Sequence, residues 1–248
     1  MSGDCQSSPA RPRRLNLSIF FPCYNDAHTI CALVEQACKV AATHTDDYEV
    51  IVVDDGSEDD SRALLQQLAA RNGRLRLVLH ERNLGYGAAL RSGFRHATRE
   101  WVFYTDGDGQ YDVRELSALI ARMEDGVDAV FAYKLLRHDP PYRLLISKVY
   151  QRAMRWLFGI RARDLSCDFR LIQRSALDKV ALDLDSGAIC VELVLQLERS
   201  GARIVECPVH HYARRYGESQ FFRPRHLAAT AIELLGFWRR QNRGNGRR

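Results

Sequence analysis

The sequence predicts an α/β fold, a Rossmann-like and mostly parallel sheet with helices on both faces, and three observations predict it. Four short β-branched and aromatic runs alternate with three stretches of helical periodicity. One of these runs, EVIVV at 49–53, is almost continuously apolar, as suits a strand buried on both sides. Polarity then changes abruptly where three of the four runs end, in PCYND, DDGSEDD and DGDGQYD.

Residues 1–14 are polar, end in Arg-Pro-Arg-Arg and read as a disordered lead-in. Regular patterning begins at Asn16. Strands are predicted over 16–21, 49–53, 75–79 and 101–105, with helices over 27–42, 59–71 and 86–98, an alternation that leaves the strands parallel. Beyond Asp112 the pattern loosens into a helix over 113–123, a strand over 128–132, a basic and apolar helix over 142–158, a strand over 203–207 and a C-terminal helix over 225–239. No Pro/Gly/Ser-rich linker divides the chain, so 15–224 reads as one domain and 225–248 as a helix with a basic tail.

With 248 residues, 46% of them apolar and 27% charged, the chain is long enough to bury a substantial core. No run approaches the roughly 18 apolar residues of a spanning helix, and no secretory signal is visible, so a soluble or surface-attached protein is expected. Seven cysteines, an odd number without Cys-x-x-Cys or zinc-like spacing, point to a reducing, cytoplasmic compartment. The net charge of +5 resides in residues 239–248, which hold five arginines and no acid; the remainder is formally neutral. Basic function must then lie in local patches. Nucleic acid is not an expected partner, because the arginine excess comes with no recognition motif.

Asp106-Gly107-Asp108-Gly109-Gln110 directly follows a predicted strand. Carboxylates at i and i+2, with glycines that permit a tight turn, can converge on a hard cation such as Mg²⁺ or Mn²⁺. An isolated Asp-x-Asp is more often a solvated turn, but here two further clusters share the setting. Asp54-Asp55-Gly56-Ser57 ends another strand, where a carboxylate can accept from a ribose or base, or cap the helix that begins near Asp59. Asn83-Leu84-Gly85-Tyr86-Gly87 precedes a helix whose N-terminus suits an anion, and its glycines allow close backbone approach. Ligands of open α/β sheets bind beyond the carboxyl ends of the strands, so these clusters define one candidate edge.

FPCYND (21–26), VVDDGSEDDS (52–61), NLGYGAALRSGF (83–94) and YTDGDGQYD (104–112), in that order, resemble the family 2 glycosyltransferases. Within that family, of A-type glycosyltransferase (GT-A) fold, the likeness is greatest to the dolichol-phosphate mannose synthase and bacterial polyprenyl-phosphate sugar transferase branch. CDFRLIQRSAL (167–177) and RRYGESQ (214–220) extend it over most of 16–222. The resemblance implies that Pro22, Tyr24 and Asp54 hold the nucleoside of a GDP- or UDP-sugar, with Asp26, Asp55 and Gly85 also lining the donor site. It implies that Asp106, Gly107 and Asp108 hold a metal-bound diphosphate, that Lys134 contacts that diphosphate, and that Gln110 adds a metal or diphosphate contact. Asp26 stands where many relatives have glutamate, which leaves its ribose contact open, and Asp112 stands where many have proline.

The attacking group determines what else is required. A sugar hydroxyl needs a carboxylate base, whereas a lipid phosphate is already anionic and needs cations to position it. From Arg137 to Arg174 nine basic residues face three acids, and arginine's planar fork matches phosphate. By the resemblance Arg137, Arg143, Arg214, Arg215 and Ser219 would hold the acceptor phosphate, although the loop's usual final lysine is Gln220 here. The expected activity is inverting, metal-dependent sugar transfer to a polyprenyl (dolichyl- or undecaprenyl-type) phosphate, with Asp106, Asp108, Asp168 and Arg214 as the catalytic set. Two alternatives stay open: transfer to a hydroxyl with Asp168 as base, and a non-catalytic nucleotide-sugar or lipid-binding adaptor.

On a helical projection Lys148, Arg152 and Arg155 share one sector beside Leu145, Val149, Ala153 and Trp156, an arrangement suited equally to a bilayer interface or to core packing. Leu227, Ala231, Leu234, Leu235 and Trp238 form a second stripe ahead of the arginine tail. Peripheral contact with the cytoplasmic face of a membrane is therefore expected.

Overall fold

The computed structural model of the chain describes residues 15–137, 141–214, 216 and 224–245, with backbone alone at 136, 137, 141–143, 224–226 and 242–245. The lead-in 1–14 and the last arginines lie outside the described residues. The strands are Leu17–Cys23 (β1), Tyr48–Asp54 (β2), Leu75–Leu79 (β3), Trp101–Thr105 (β4), Ala129–Arg137 (β5), Phe169–Gln173 (β6) and Ile204–His211 (β7). They form one sheet in the order β3-β2-β1-β4-β6-β5-β7. The helices are Ile30–His44 (α1), Ser61–Arg71 (α2), Tyr86–His96 (α3), Leu116–Ile120 (α4), Pro141–Phe158 (α5), Arg174–Leu177 (α6), Ile189–Arg199 (α7) and Pro224–Asn245 (α8).

Strands β1, β2 and β4 are apolar through their centres because the sheet is covered on both faces there, whereas the edge strand β3 carries the exposed Arg76. Leu17, Ile19, Phe21, Val50, Val52 and Phe103 pack on one side with α1, α2 and α4. Phe20, Ile51, Val53, Tyr104 and Phe131 pack on the other with α3, α5, α7 and α8. Alternate residues of one strand thus feed different cores, and a single-residue slip would exchange them. The mostly parallel α/β sheet expected from the sequence is the one found.

β6 is the exception, running antiparallel to both β4 and β5. Neither β6 nor α7 is anticipated by the sequence patterning. The helix expected over 113–123 is a 3₁₀ turn, Val113–Glu115, followed by the short α4, and Asp112 caps that turn by accepting from the Arg114 amide at 2.9 Å. β5 and β7 run beyond their expected ends, to Arg137 and His211. Their mutual pairing accounts for the extension, since Tyr133, Lys134 and Arg137 have partners in β7.

Candidate functional site

Chain order steps outward from β1 through β2 to β3, then returns to place β4 on the other side of β1. The crevice between β1 and β4 is a topological switch point, where open α/β sheets bind their ligands. β1, β2, β4, β5 and β7 end at this edge, delivering Tyr24 and Asp26, Asp54, Asp106 and Asp108, Lys134, and Arg214 respectively. Reversal of β6 brings its beginning to the same edge: Phe169 pairs with Thr105, which sets Asp168 beside Asp106.

The β4 loop can lie against β1 because residue 107 is glycine; a Cβ there would stand 2.8 Å from the Pro22 carbonyl. Thr29 Oγ1 donates to the Gly107 carbonyl at 2.7 Å and fixes the approach. Asp106 Oδ1 accepts from the Tyr86 hydroxyl at 2.7 Å. Asp108 Oδ1 accepts from the Gln110 amide at 2.9 Å, while its Oδ2 is paired with the Arg214 guanidinium. Burial, then the charges of Asp168 and Asp108, raise the Asp106 carboxyl well above its usual range. Asp108 is also raised by burial, against the opposing pull of Arg214. Asp26 is pushed up to about 7 by burial and by Asp108. The site is thus a knot of carboxylates short of positive charge. Lys134 also acts on Asp106 and Asp108, and its Nζ donates to the Ser166 carbonyl at 2.6 Å.

Other expected contacts are arranged differently. Asp54 is fully buried, with Oδ2 held by Arg62 at 2.6 Å and Oδ1 accepting from the Ser57 amide at 3.2 Å. Asp55 turns into the protein: its oxygens accept from the Leu84 and Gly85 amides, both at 2.9 Å, and Oδ1 lies 2.7 Å from His80 Nδ1. The close approach expected of the glycines in 83–87 is made to protein, not left open for an anion. A Cβ on Gly85 would lie 2.7 Å from the Asp185 carbonyl oxygen and one on Gly87 2.2 Å from that of Leu184, and the Gly87 amide donates to Asp185 at 2.8 Å. Gln110 sends its amide nitrogen to the Tyr212 carbonyl at 3.0 Å, linking the β4 loop to the segment that carries Arg214. Tyr24 is half-buried, and its amide donates to Asp26 Oδ2 at 3.3 Å.

Asp168 anchors a network of which the CDFR motif suggests one pair, Asp168 with Arg170, and not the rest. It accepts from the Tyr104 hydroxyl and the Cys190 thiol, both at 3.2 Å, and lies 3.5 Å from Arg170 Nη1. Arg170 is 0% exposed, donates to the Tyr104 hydroxyl at 2.7 Å and to the Leu165 carbonyl at 2.9 Å, and faces the Phe131 ring. Its neighbours hold it protonated against the cost of burial. Tyr104, at a core position of β4, and Cys190, on the unanticipated α7, are the missed members; an arginine inside an apolar strand is the one signal that could have pointed to them. Arg215 and Ser219 lie outside the described residues, and Arg137 and Arg143 are described in backbone only.

The family model described as Glycosyl transferase family 2 matches residues 18–181. Among solved structures, the chain is similar to glucosyl-3-phosphoglycerate synthase from Mycobacterium tuberculosis. Its complex with Mn²⁺, uridine diphosphate and phosphoglyceric acid superposes with a TM-score of 0.65 at 19% identity, over 82% of this chain and 72% of that one. The complex with Mn²⁺, uridine diphosphate and glucosyl-3-phosphoglycerate gives 0.65 at 18% identity, over 92% and 84%. The complex with Mn²⁺ and uridine-diphosphate-glucose gives 0.66 at 18% identity, over 89% and 76%. At this identity the likeness is one of fold.

Proposed function

This chain belongs to glycosyl transferase family 2, and from that membership we propose that it moves a sugar, with inversion, from a GDP- or UDP-sugar to a polyprenyl phosphate at the cytoplasmic face of a membrane. One observation carries the choice of a phosphate acceptor: the Arg214 guanidinium, delivered from the end of β7, is paired with Asp108 at the mouth of β4. Its Nε is shielded from solvent and has no hydrogen-bond partner among the described residues, which leaves one donor of the guanidinium unmet. A guanidinium so placed suits a phosphate arriving beside the donor.

Asp106 and Asp108 form a hard oxygen donor set on a glycine-rich turn, and their raised carboxyls describe a site that gains from a bound cation. Mg²⁺ or Mn²⁺ fits this set, with Gln110 at its edge, and the fold neighbours were crystallised with these ions and with uridine diphosphate. When bound, the ion would neutralise charge on the departing nucleoside diphosphate. Tyr24 and Asp26 then line the nucleoside, with the buried Pro22 and Asp54 backing that wall, Gly107 allows the diphosphate loop its close approach, and Lys134 adds positive charge. Asp55 and Gly85 serve the donor indirectly, by holding the loop that carries Tyr86 onto Asp106. Arg214 positions the acceptor phosphate, with Arg137, Arg143, Arg215 and Ser219 assigned to the same task. A phosphate oxygen needs no base, so Asp168 orients and charges the site.

A second reading is transfer to a hydroxyl of a small phosphorylated acid, with Asp168 as base. It is favoured by the place of Asp168 beside Asp106, and the fold neighbours are named for a phosphoglycerate acceptor. Incubating the protein and Mn²⁺ with labelled nucleotide sugars and either polyprenyl phosphate or phosphoglycerate separates the two. The lipid reading expects label in the organic phase; label confined to the aqueous phosphoglycerate product overturns it.

A further inference from the structure

Trp156, Ile232, Leu145, Val149 and Leu235 are the five most exposed large apolar side chains among the described residues, 82% to 53% open, and all lie on α5 or α8. On α5 the spacing of Leu145, Val149, Arg152 and Trp156 runs one line along the helix, flanked by exposed Lys148 and Arg155. The opposite face, with Gln151, Met154 and Phe158, is buried in the core. Of the two arrangements the sequence allows, apolar side turned in or turned out, α5 therefore has both: a buried apolar face and a second, outward one. α8 packs beside it through Phe237, 5.6 Å from Phe158, and buries Leu234 while leaving Ile232 and Leu235 in solvent. Of the stripe read from the sequence, Leu234 is buried and Trp238 partly buried, while Leu227, Ala231 and Leu235 are exposed.

We propose that the outward face of α5, with the exposed flank of α8, docks on an anionic lipid bilayer. Charge selects this occupant. Residues 141–158 contain no acid, and the one acid of α8, Glu233, accepts from the Ser186 hydroxyl at 2.7 Å. A second copy meeting this face by two-fold symmetry would oppose cation to cation. Anionic headgroups instead pair with Lys148 and Arg152, and with Arg155 beyond the one nitrogen it gives to the Arg163 carbonyl, while Leu145, Val149 and Trp156 enter the acyl boundary, where tryptophan is favoured.

The inner face of the same helix touches the carboxylate edge. Gln151 donates to Asp164 at 3.1 Å, and Asp164 accepts from the Lys134 amide at 3.3 Å. Tyr150 lies close enough for Asp168 and Cys190 to raise its hydroxyl, after burial. One helix thickness, about 10 Å, therefore separates the docking face from the site. The proposal rests on the lipid-phosphate reading for its purpose, because docking would bring the bilayer to the transfer edge.

The test uses the full chain, vesicles of phosphatidylcholine with or without phosphatidylglycerol, and brominated lipid as a quencher. The wild type is expected to sediment with the anionic vesicles, to release in about 1 M salt where the Debye length falls to about 3 Å, and to show quenching that a Trp156→Tyr variant loses. Leu145→Gln/Val149→Gln/Trp156→Gln is expected to weaken partitioning by about tenfold or more with an unchanged melting temperature. Equal partitioning of wild type and triple variant overturns the proposal. So does a dimer, abolished by the triple variant, in a protein that ignores vesicles. Activity on a water-soluble short-chain polyprenyl phosphate, without vesicles, reads the acceptor chemistry separately. Vesicle binding without that activity leaves the docking face supported and removes the acceptor reading; activity without vesicle binding overturns docking alone.

Discussion

Arg170 occupies a strand position with no access to water, where an unpaired guanidinium would be very costly. What makes it tolerable is that Tyr104, the Leu165 carbonyl and Asp168 surround it. Removing one member strands the rest, so Arg170→Ala is expected to lower unfolding free energy by about 3 to 5 kcal/mol in a urea titration. A change below 1 kcal/mol would mean that Asp168 does not depend on it. Asp168 itself separates the two acceptor chemistries. Asp168→Asn keeps the shape and most hydrogen bonds while removing the charge; with a phosphate nucleophile kcat should fall less than about tenfold, and with a hydroxyl nucleophile by about 10² to 10⁴. Asp108→Ala should cost about 10² or more in kcat under either chemistry, with nucleotide affinity and folding measured alongside to isolate the effect.

At the level of elements, the loop before α3 is held by a contact between distant parts of the chain. Asp55, itself held by His80, accepts from its amides on one side, and the backbone at 184–185 presses on its glycines from the other. Gly87→Ala must push its Cβ into the Leu184 carbonyl oxygen at 2.2 Å, whereas a Cβ on Gly73 meets nothing within 4 Å. Gly87→Ala should therefore destabilise by about 1 to 3 kcal/mol and loosen donor binding with it, while Gly73→Ala changes little. Matched denaturation curves and nucleotide titrations of the two variants check this; equal effects would remove the loop from the argument. The same loop shows the limit of reading the sequence. Its glycines announce a close approach, but the approaching backbone lies about 100 residues further on, so a local reading assigns the space to a ligand. β1 to β4 are legible because short β-branched and aromatic runs alternate regularly with helical stretches, and three of the four runs end in a polar cluster. β6 is not, because Arg170 interrupts its apolar pattern, and the partners that excuse the arginine come from β4 and the segment before β6.

Across the whole molecule, the sheet gathers like charges at one edge, and that has a consequence in pH. In the folded chain Asp26 titrates at about 7 against a usual 3.8, chiefly through burial and then through Asp108, and Asp106 and Asp108 are raised as well. A carboxyl raised on folding keeps a proton that the unfolded chain has released. Its stabilising contribution is complete below about pH 4 and is lost as pH climbs through about 7. Glu49, Asp59 and Asp112 are shifted down and oppose this trend only below about pH 4.5, so the interval from about pH 5 to 7.5 belongs to the raised group. With divalent ions chelated, unfolding free energy should fall across that interval by up to about 1.4 kcal/mol per pH unit for each proton held. Asp26→Asn should flatten the slope, since an amide has no proton to lose. Mn²⁺ added near pH 7.5 should return part of the lost stability, because the ion favours the charged forms of Asp106 and Asp108 that the fold alone disfavours. A chelated protein whose stability does not change between pH 5 and 7.5 would show that the carboxylates at this edge are not crowded, and the electrostatic reason for a cation there would be gone.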